Sequence, residues 1–340
     1  MTKNPSAETA SAKSQSQTAS VTPPSPGLKD DAINVVRGLA MGAADIVPGV
    51  SGGTVALILG HYERLIAAIS QLNIEFVQLV LARKFSAAIR YADLRFLAGL
   101  GVGIAIGIVA LASLMHQLLD LHMGYTFAFF CGLILASAIL VGQRISRWNI
   151  AAALMVGAGA WVAYQICVLE PLDGSLSPLN VFISAAIAIC AMILPGISGA
   201  FVLLLLGMYH EITGMIKEIA KGQITLDNVT TVAIFCIGCL VGVLVFSRLL
   251  KWLLARHGNS TMAFLVGLML GSLYRIWPFQ VATVETAALE FKERRFDLQW
   301  PWASDLSMWL VLGLILVGFA GVFLLERIGR RLALAPSLAD

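Results

Sequence analysis

Six apolar stretches, at roughly 95–118, 124–142, 149–169, 231–250, 261–278 and 307–326, each reach the length of a membrane-spanning helix. Such a helix needs about 20 apolar residues to cross a hydrocarbon core of about 30 Å. Two further apolar stretches do not fit that template. Residues 33–70 would make a helix of about 56 Å at about 1.5 Å per residue, too long for one span. They are interrupted at Pro48-Gly49, and residues 180–216 are interrupted at Pro195-Gly196. Each arm is short for a span, so each stretch is expected to form a re-entrant hairpin that enters and leaves on one side. A helix break at membrane depth frees backbone groups that lipid cannot satisfy, so it survives only where it is buried in protein or lines a cavity.

The two interruptions are copies of one another. Pro48-Gly49-Val50-Ser51-Gly52-Gly53 returns as Pro195-Gly196-Ile197-Ser198-Gly199-Ala200, and Gly60-x-Tyr62 returns at the same spacing as Gly207-x-Tyr209. The duplication extends into the spans. Thr126-x-Ala128-Phe129-x-x-Gly132-Leu133-x-Leu135-x-Ser137 matches Thr261-x-Ala263-Phe264-x-x-Gly267-Leu268-x-Leu270-x-Ser272. Gly99-x-x-x-Gly103-x-x-x-Gly107 parallels Gly238-x-x-x-Gly242, small-residue faces that permit close helix contact. The expected fold is an all-α polytopic membrane protein of two repeats, 31–170 and 178–328, each a hairpin followed by three spans. An odd number of spans makes the second unit enter from the opposite side, which gives inverted topology with the hairpin tips meeting near the midplane.

Composition agrees. Of the 340 residues, 58% are hydrophobic and 13% charged, with mean hydropathy +0.84, against about 25% charged in an ordinary soluble domain. The net charge of +3 is too small to argue for nucleic acid. Arg83, Lys84, Arg90, Arg95, Arg144, Arg147, Arg248, Lys251, Arg256, Arg327, Arg330 and Arg331 fall on one side of the expected arrangement. The opposite short loops, 119–123 and 170–178, carry no Lys or Arg. That asymmetry puts both termini in the cytoplasm. Lys217, Lys221 and the basic residues of the long 279–305 loop are exceptions. Residues 1–30, rich in Ser, Thr, Ala and Pro, are expected to be a disordered tail, and 329–340 a second cytoplasmic tail. All five cysteines lie in apolar stretches, where they serve as small hydrophobic residues.

The candidate chemistry gathers at the breaks. Gly49, Val50, Ser51, Gly52, Gly53 and Thr54, with Gly196, Ile197, Ser198 and Gly199, offer consecutive backbone N–H groups and hydroxyls to an anion at the start of a half-helix. The alternative is that the glycines only make a tight turn and each serine caps its own helix. Arg37 is the one Lys or Arg in the first hairpin's entering arm and could guide an anion or anchor at the interface; its repeat counterpart is Ser184. Asp45, whose counterpart is Met192, is a candidate for capping the following half-helix or for coupling. Glu63 and Glu211, with His61, Arg64 and His210, follow the second arms as a solvated exit or a proton link. No metal motif and no nucleophile–base set stands out, so neither a catalytic residue nor a cofactor is expected.

The run from Arg37 through Gly42-Ala43-Ala44-Asp45-Ile46-Val47-Pro48-Gly49-Val50-Ser51-Gly52-Gly53-Thr54, with its echo Met192-Ile193-Leu194-Pro195-Gly196-Ile197-Ser198-Gly199, resembles the bacterial polyprenyl-phosphate transporter family. The resemblance covers roughly 31–328. It implies return of undecaprenyl phosphate, the carrier lipid of cell-envelope synthesis, to the inner leaflet of the cytoplasmic membrane. The residues alone leave a soluble-anion transporter or channel open, since the same tips would serve it. A homo-oligomer is also left open.

Overall fold

The computed structural model describes residues 27–46, 51–172, 174–286, 288 and 294–334. It is mostly helical. Helix α1 (Leu28–Asp45) leads to a break and then α2 (Gly52–Ile58), α3 (Tyr62–Ser70), α4 (Ile74–Leu81) and α5 (Phe85–Tyr91). A long α6 (Leu94–Gly142) and α7 (Ile150–Val168) follow. The second half has α8 (Pro178–Ile193), α9 (Gly199–Leu205), α10 (Tyr209–Ala220), α11 (Leu226–Ser272) and α12 (Met308–Leu334), with no counterpart of α4 and α5 among the described residues. Among the described residues four helical stretches, two of them within α6 and the others α7 and α11, are long and apolar enough to cross a membrane, or up to six if each bent pair is one span.

Helix α1 starts at Leu28, inside the stretch expected to be a tail, because Asp30 Oδ2 accepts from the Gly27 amide at 3.0 Å and caps it. Both 40-odd-residue helices are divided by one non-helical residue, His122 in α6 (φ −138°, ψ 40°) and His257 in α11 (φ −129°, ψ 40°). Thr126 Oγ1 donates to the Leu118 carbonyl at 3.1 Å. Eight residues of straight helix would hold those groups about 12 Å apart, so the chain bends sharply there. Thr126 also bonds the carbonyl of His122 at 2.9 Å, and Thr261 bonds that of His257 at 3.0 Å. The matched threonines therefore do the same work at matched bends.

Small residues set the packing. A Cβ on Gly38 would strike the Leu100 carbonyl and one on Gly103 the Val35 carbonyl, so α1 and the first half of α6 touch backbone to backbone. Gly238 and Gly242 bring α11 equally close to Phe182 and Ala186 of α8. The last long helix of each half then crosses over. Helix α7 packs on the second half of α11 through Gly159, Gly267 and Gly271, and α12 packs on the second half of α6 through Gly132 and Gly318. Met41, Ala56, Leu57, Tyr62, Phe127, Ile134, Ile193, Leu268 and Met269 are buried in one core cluster where these elements meet.

The chain ends of each hairpin come together. Asp31 of α1 pairs with Arg95, and Arg64 of α3 pairs with Asp93 at 2.7 Å, so both ends meet the start of α6. In the second half the Leu172 amide, ahead of α8, donates to the Leu205 carbonyl at 2.7 Å. Loop contacts also sort into two groups. Arg294 pairs with Asp120 at 3.5 Å and Arg295 with Glu170 at 3.2 Å. Elsewhere Ser146 bonds Asn259 at 2.9 Å and Arg248 reaches the Leu72 carbonyl at 3.3 Å.

Two further expectations are corrected. The second arm of each hairpin is two helices, because Gly60 (φ +73°) and Gly207 (φ +69°) turn the chain in a region that suits glycine. Helix α11 ends at Ser272, short of 278. Residues Leu273 to Arg275 close i to i−3 turns, and the Gln280 side chain donates to the carbonyls of Arg275 (3.1 Å) and Trp277 (2.7 Å). Within the 279–305 loop, β1 (Gln280–Ala282) and β2 (Phe296–Leu298) pair antiparallel, with Val281 opposite Asp297.

Candidate functional site

The breaks of the two halves meet. Ser51 caps α2, its Oγ accepting from the Gly53 amide at 3.0 Å, and the same hydroxyl donates to the Met192 carbonyl at 3.1 Å. Thr54 Oγ1 accepts from the Gly196 amide at 3.0 Å. Tyr62 OH donates to the Ile193 carbonyl at 3.2 Å. The side chains of the first break thus satisfy the backbone freed by the second, which is how helix breaks persist away from water. Gly53 has to be glycine, since a Cβ would lie 2.5 Å from the Ile193 carbonyl. Gly196 sits at φ +85° with Leu268 and Met269 backbone close by.

The two tips differ in what they leave open. At the first, Asp45 Oδ1 accepts from the Gly52 amide at 2.6 Å. Asp45 is therefore a cap, placed where a carboxylate meets the amide end of α2. With Ser51 taking the Gly53 amide, both glycine N–H groups are held by the protein. At the second tip Ser198 caps α9 only loosely, accepting from the Phe201 amide at 3.5 Å. Among the described residues the amides of Gly199 and Ala200 have no hydrogen-bond partner. A cavity of about 20 Å³ lies here, lined by Asp45, Ile46, Ser198, Ala200, Phe201, Leu204 and Arg275.

Arg275 is the cation at this junction. Its guanidinium lies 4.7 Å from the ring centroid of Phe201 in α9 and 5.9 Å from that of Phe296 in β2. Stacking on a ring face leaves the in-plane N–H fork available. No carboxylate lies within salt-bridge distance of it among the described residues. Sequence reasoning passed over Arg275, though it is the one charge inside the apolar stretch 261–278, and a charge in such a stretch is a functional signal.

The other expected residues fall as follows. Gly49 and Val50 lie outside the described residues. Ser51, Gly52, Gly53, Thr54, Gly196, Ile197, Ser198 and Gly199 are brought together at the junction, with Asp45. Arg37 is not among them. It donates to Asn34 at 3.2 Å on α1 and stands within electrostatic reach of His61 and Arg64. Glu63 and Glu211 are exposed in the first turns of α3 and α10 and do not line the cavity at the tips. His61, expected at a solvated exit, is instead 2% exposed. Its Nε2 is 3.3 Å from Met41 Sδ and its ring meets Phe96 edge-on, because the turn at Gly60 folds it inward.

Fold and site together define a multi-pass helical membrane protein in which two broken helices meet tip to tip beside a buried-edge arginine. The model of the family described as undecaprenyl phosphate translocase-like matches residues 41–292, and the chain belongs to that family. It is 44% identical over 245 residues to a protein of Vibrio cholerae named polyprenyl-phosphate transporter, covering 72% of this chain and 77% of that one. A Staphylococcus aureus protein of the same name is 31% identical over 258 residues, covering 72% of this chain and 86% of its own length. No solved structure matches.

Proposed function

We propose that this protein is a translocase that returns undecaprenyl phosphate, or a closely related polyprenyl phosphate, from the outer to the inner leaflet of the bacterial cytoplasmic membrane. The observation that carries the reading is the junction of the two breaks, with Arg275, Ser198 and the amides of Gly199 and Ala200 beside it, in a chain of this family. An ionised headgroup taken bare into hydrocarbon would cost tens of kcal/mol by rough Born arguments. Donors fixed at a protein-lined break replace its water while the prenyl tail stays in lipid. Nothing in this requires chemistry on the substrate, and the relatives are named as transporters.

The inverted-repeat arrangement is part of the proposal. The paired bends at His122 and His257, the paired contacts of α1 with α6 and α8 with α11, and the exchanged α7 and α12 support it. Hairpin ends that return to their own starting loops support re-entrant breaks, one entered from each side. The loops expected outside, 119–123, 170–178 and 279–305, pair with one another, and the loops expected inside do likewise. We place both termini in the cytoplasm on that basis and on the charge asymmetry. Asp45 serves as the cap of α2, its carboxylate held on the Gly52 amide, and lines the small cavity together with Ser198 and Arg275.

A soluble-anion channel would use the same tips, and one experiment separates the two. Purified protein in liposomes carrying tail-labelled undecaprenyl phosphate is treated with a membrane-impermeant phosphatase, and vesicles loaded with labelled inorganic phosphate are followed in parallel. The translocase reading expects the whole lipid pool to become accessible and the trapped phosphate to stay. Loss of trapped phosphate with only the outer-leaflet lipid hydrolysed would assign the chain to soluble anions.

A further inference from the structure

A second cavity, of about 390 Å³, opens beside the tips. Its walls are the end of α7, α9, the turn after α11 and the β1–β2 ribbon, and its polar lining includes Arg275, Arg294, Arg295, Glu170, Tyr274 and Gln280. Phe201, Leu204 and Arg275 line both this space and the small one at the tips. Arg275 therefore stands in the partition between them. The tip cavity, at about 20 Å³, has room for roughly one water-sized group and so for one phosphate oxygen at most. The larger space has room for a whole phosphate group.

We infer that this larger space is a receiving vestibule for the phosphate of a lipid headgroup, with Arg275 handing the anion from it to the tips; this rests on the translocase reading above. Guanidinium forks match phosphate oxygens two at a time. Arg295 supplies such a fork at the rim, where its pair with Glu170 is exposed on both sides (side-chain exposure 55% and 77%). An exposed pair of that kind contributes little stability, so a phosphate dianion displaces the carboxylate at small cost. Glu285 and Asp297 also line the space, which makes its wall neutral in sum with the three arginines. That balance suits a transporter, because the headgroup trades places with a carboxylate on arrival and is released by the reverse trade. The charge at the partition is different: Arg275 has no such carboxylate among the described residues and draws the phosphate inward. All the loops that form the rim belong to the side assigned to the outside, where the lipid would be collected.

The test uses the full chain in lipid nanodiscs, with farnesyl phosphate as the probe and binding read by calorimetry. Arg295→Gln is expected to weaken binding about fivefold, and Glu170→Gln to tighten it by about the same factor, since each removes one side of an exposed pair. Opposite signs from two neighbouring rim residues are not produced by a disturbed fold. Unchanged affinity in both variants, or a loss in both, overturns the vestibule. Inorganic phosphate is expected to bind more weakly than farnesyl phosphate. Equal affinity for the two would make the space a free-anion site and overturn the lipid assignment. Should the vestibule fail while the unsubstituted protein still exchanges undecaprenyl phosphate in the phosphatase assay, the translocase reading stands without it. If the unsubstituted protein exchanges no lipid, that reading fails whatever the binding shows.

Discussion

Arg275→Gln is expected to slow leaflet exchange of undecaprenyl phosphate on the order of a hundredfold, because removing one member of a desolvated charge pair costs about 2–5 kcal/mol. The side chain lines the cavities on both sides of the partition and stacks on Phe201, so its loss removes both the cation and its rigid mount. Arg275→Lys should recover part of the rate, since lysine keeps the charge and loses the planar fork. Arg37→Ala should cost far less. Arg37 sits with Asn34 on α1 and not at the junction. Phosphatase accessibility in proteoliposomes measures all three. A wild-type rate in Arg275→Gln, with Arg37→Ala inactive, would move the working charge to the α1 side.

Gly53→Ala should do comparable damage by a different route. Its new Cβ would lie 2.5 Å from the Ile193 carbonyl, and both are backbone-anchored, so the tips must part. Overpacking of this kind costs about 1–3 kcal/mol, and separation of the tips also strains the bonds of Ser51 to Met192 and of Thr54 to Gly196. Gly52→Ala is milder, because its Cβ meets the Asp45 carboxylate at 2.8 Å and that side chain can swing away at the expense of a cap worth about 1 kcal/mol. Gly101→Ala, with nothing within 4 Å, is the matched control and should leave stability within about 0.5 kcal/mol. Thermal unfolding in detergent should rank the three as Gly53→Ala least stable, then Gly52→Ala, then Gly101→Ala. Equal midpoints would mean that the tips are not packed as described.

What could be read from the sequence was whatever repeats or follows from length. The breaks at Pro48-Gly49 and Pro195-Gly196, the glycine faces of α6 and α11 and the matched threonines all carry a local signal, and Gly196, the glycine faces and the threonines each sit at a packing contact or bend. Features that depend on a distant partner were not legible. Arg275 was visible as a charge inside an apolar stretch, whereas the end of α11 ahead of it, where Gln280 folds back onto the Arg275 and Trp277 carbonyls, was not. Asp45 could be placed at a helix end, yet its capping of Gly52 needs the return of the chain across a break. Gly60 and Gly207 were visible as part of the repeat, whereas the positive φ that turns His61 into the core is a property of the folded chain. Arg37 drew attention by its isolation, but its side chain runs to Asn34, one turn back on its own helix.

Where the phosphate sits during exchange is the most direct test of this account. A polyprenyl phosphate with a photoreactive group on its first isoprene unit, irradiated in proteoliposomes that are exchanging lipid, should label the peptides that contain Ser198–Phe201 and Arg275. Excess unlabelled undecaprenyl phosphate should abolish that labelling. Labelling confined to the outward faces of α6 and α12, with none at the second tip, would contradict it.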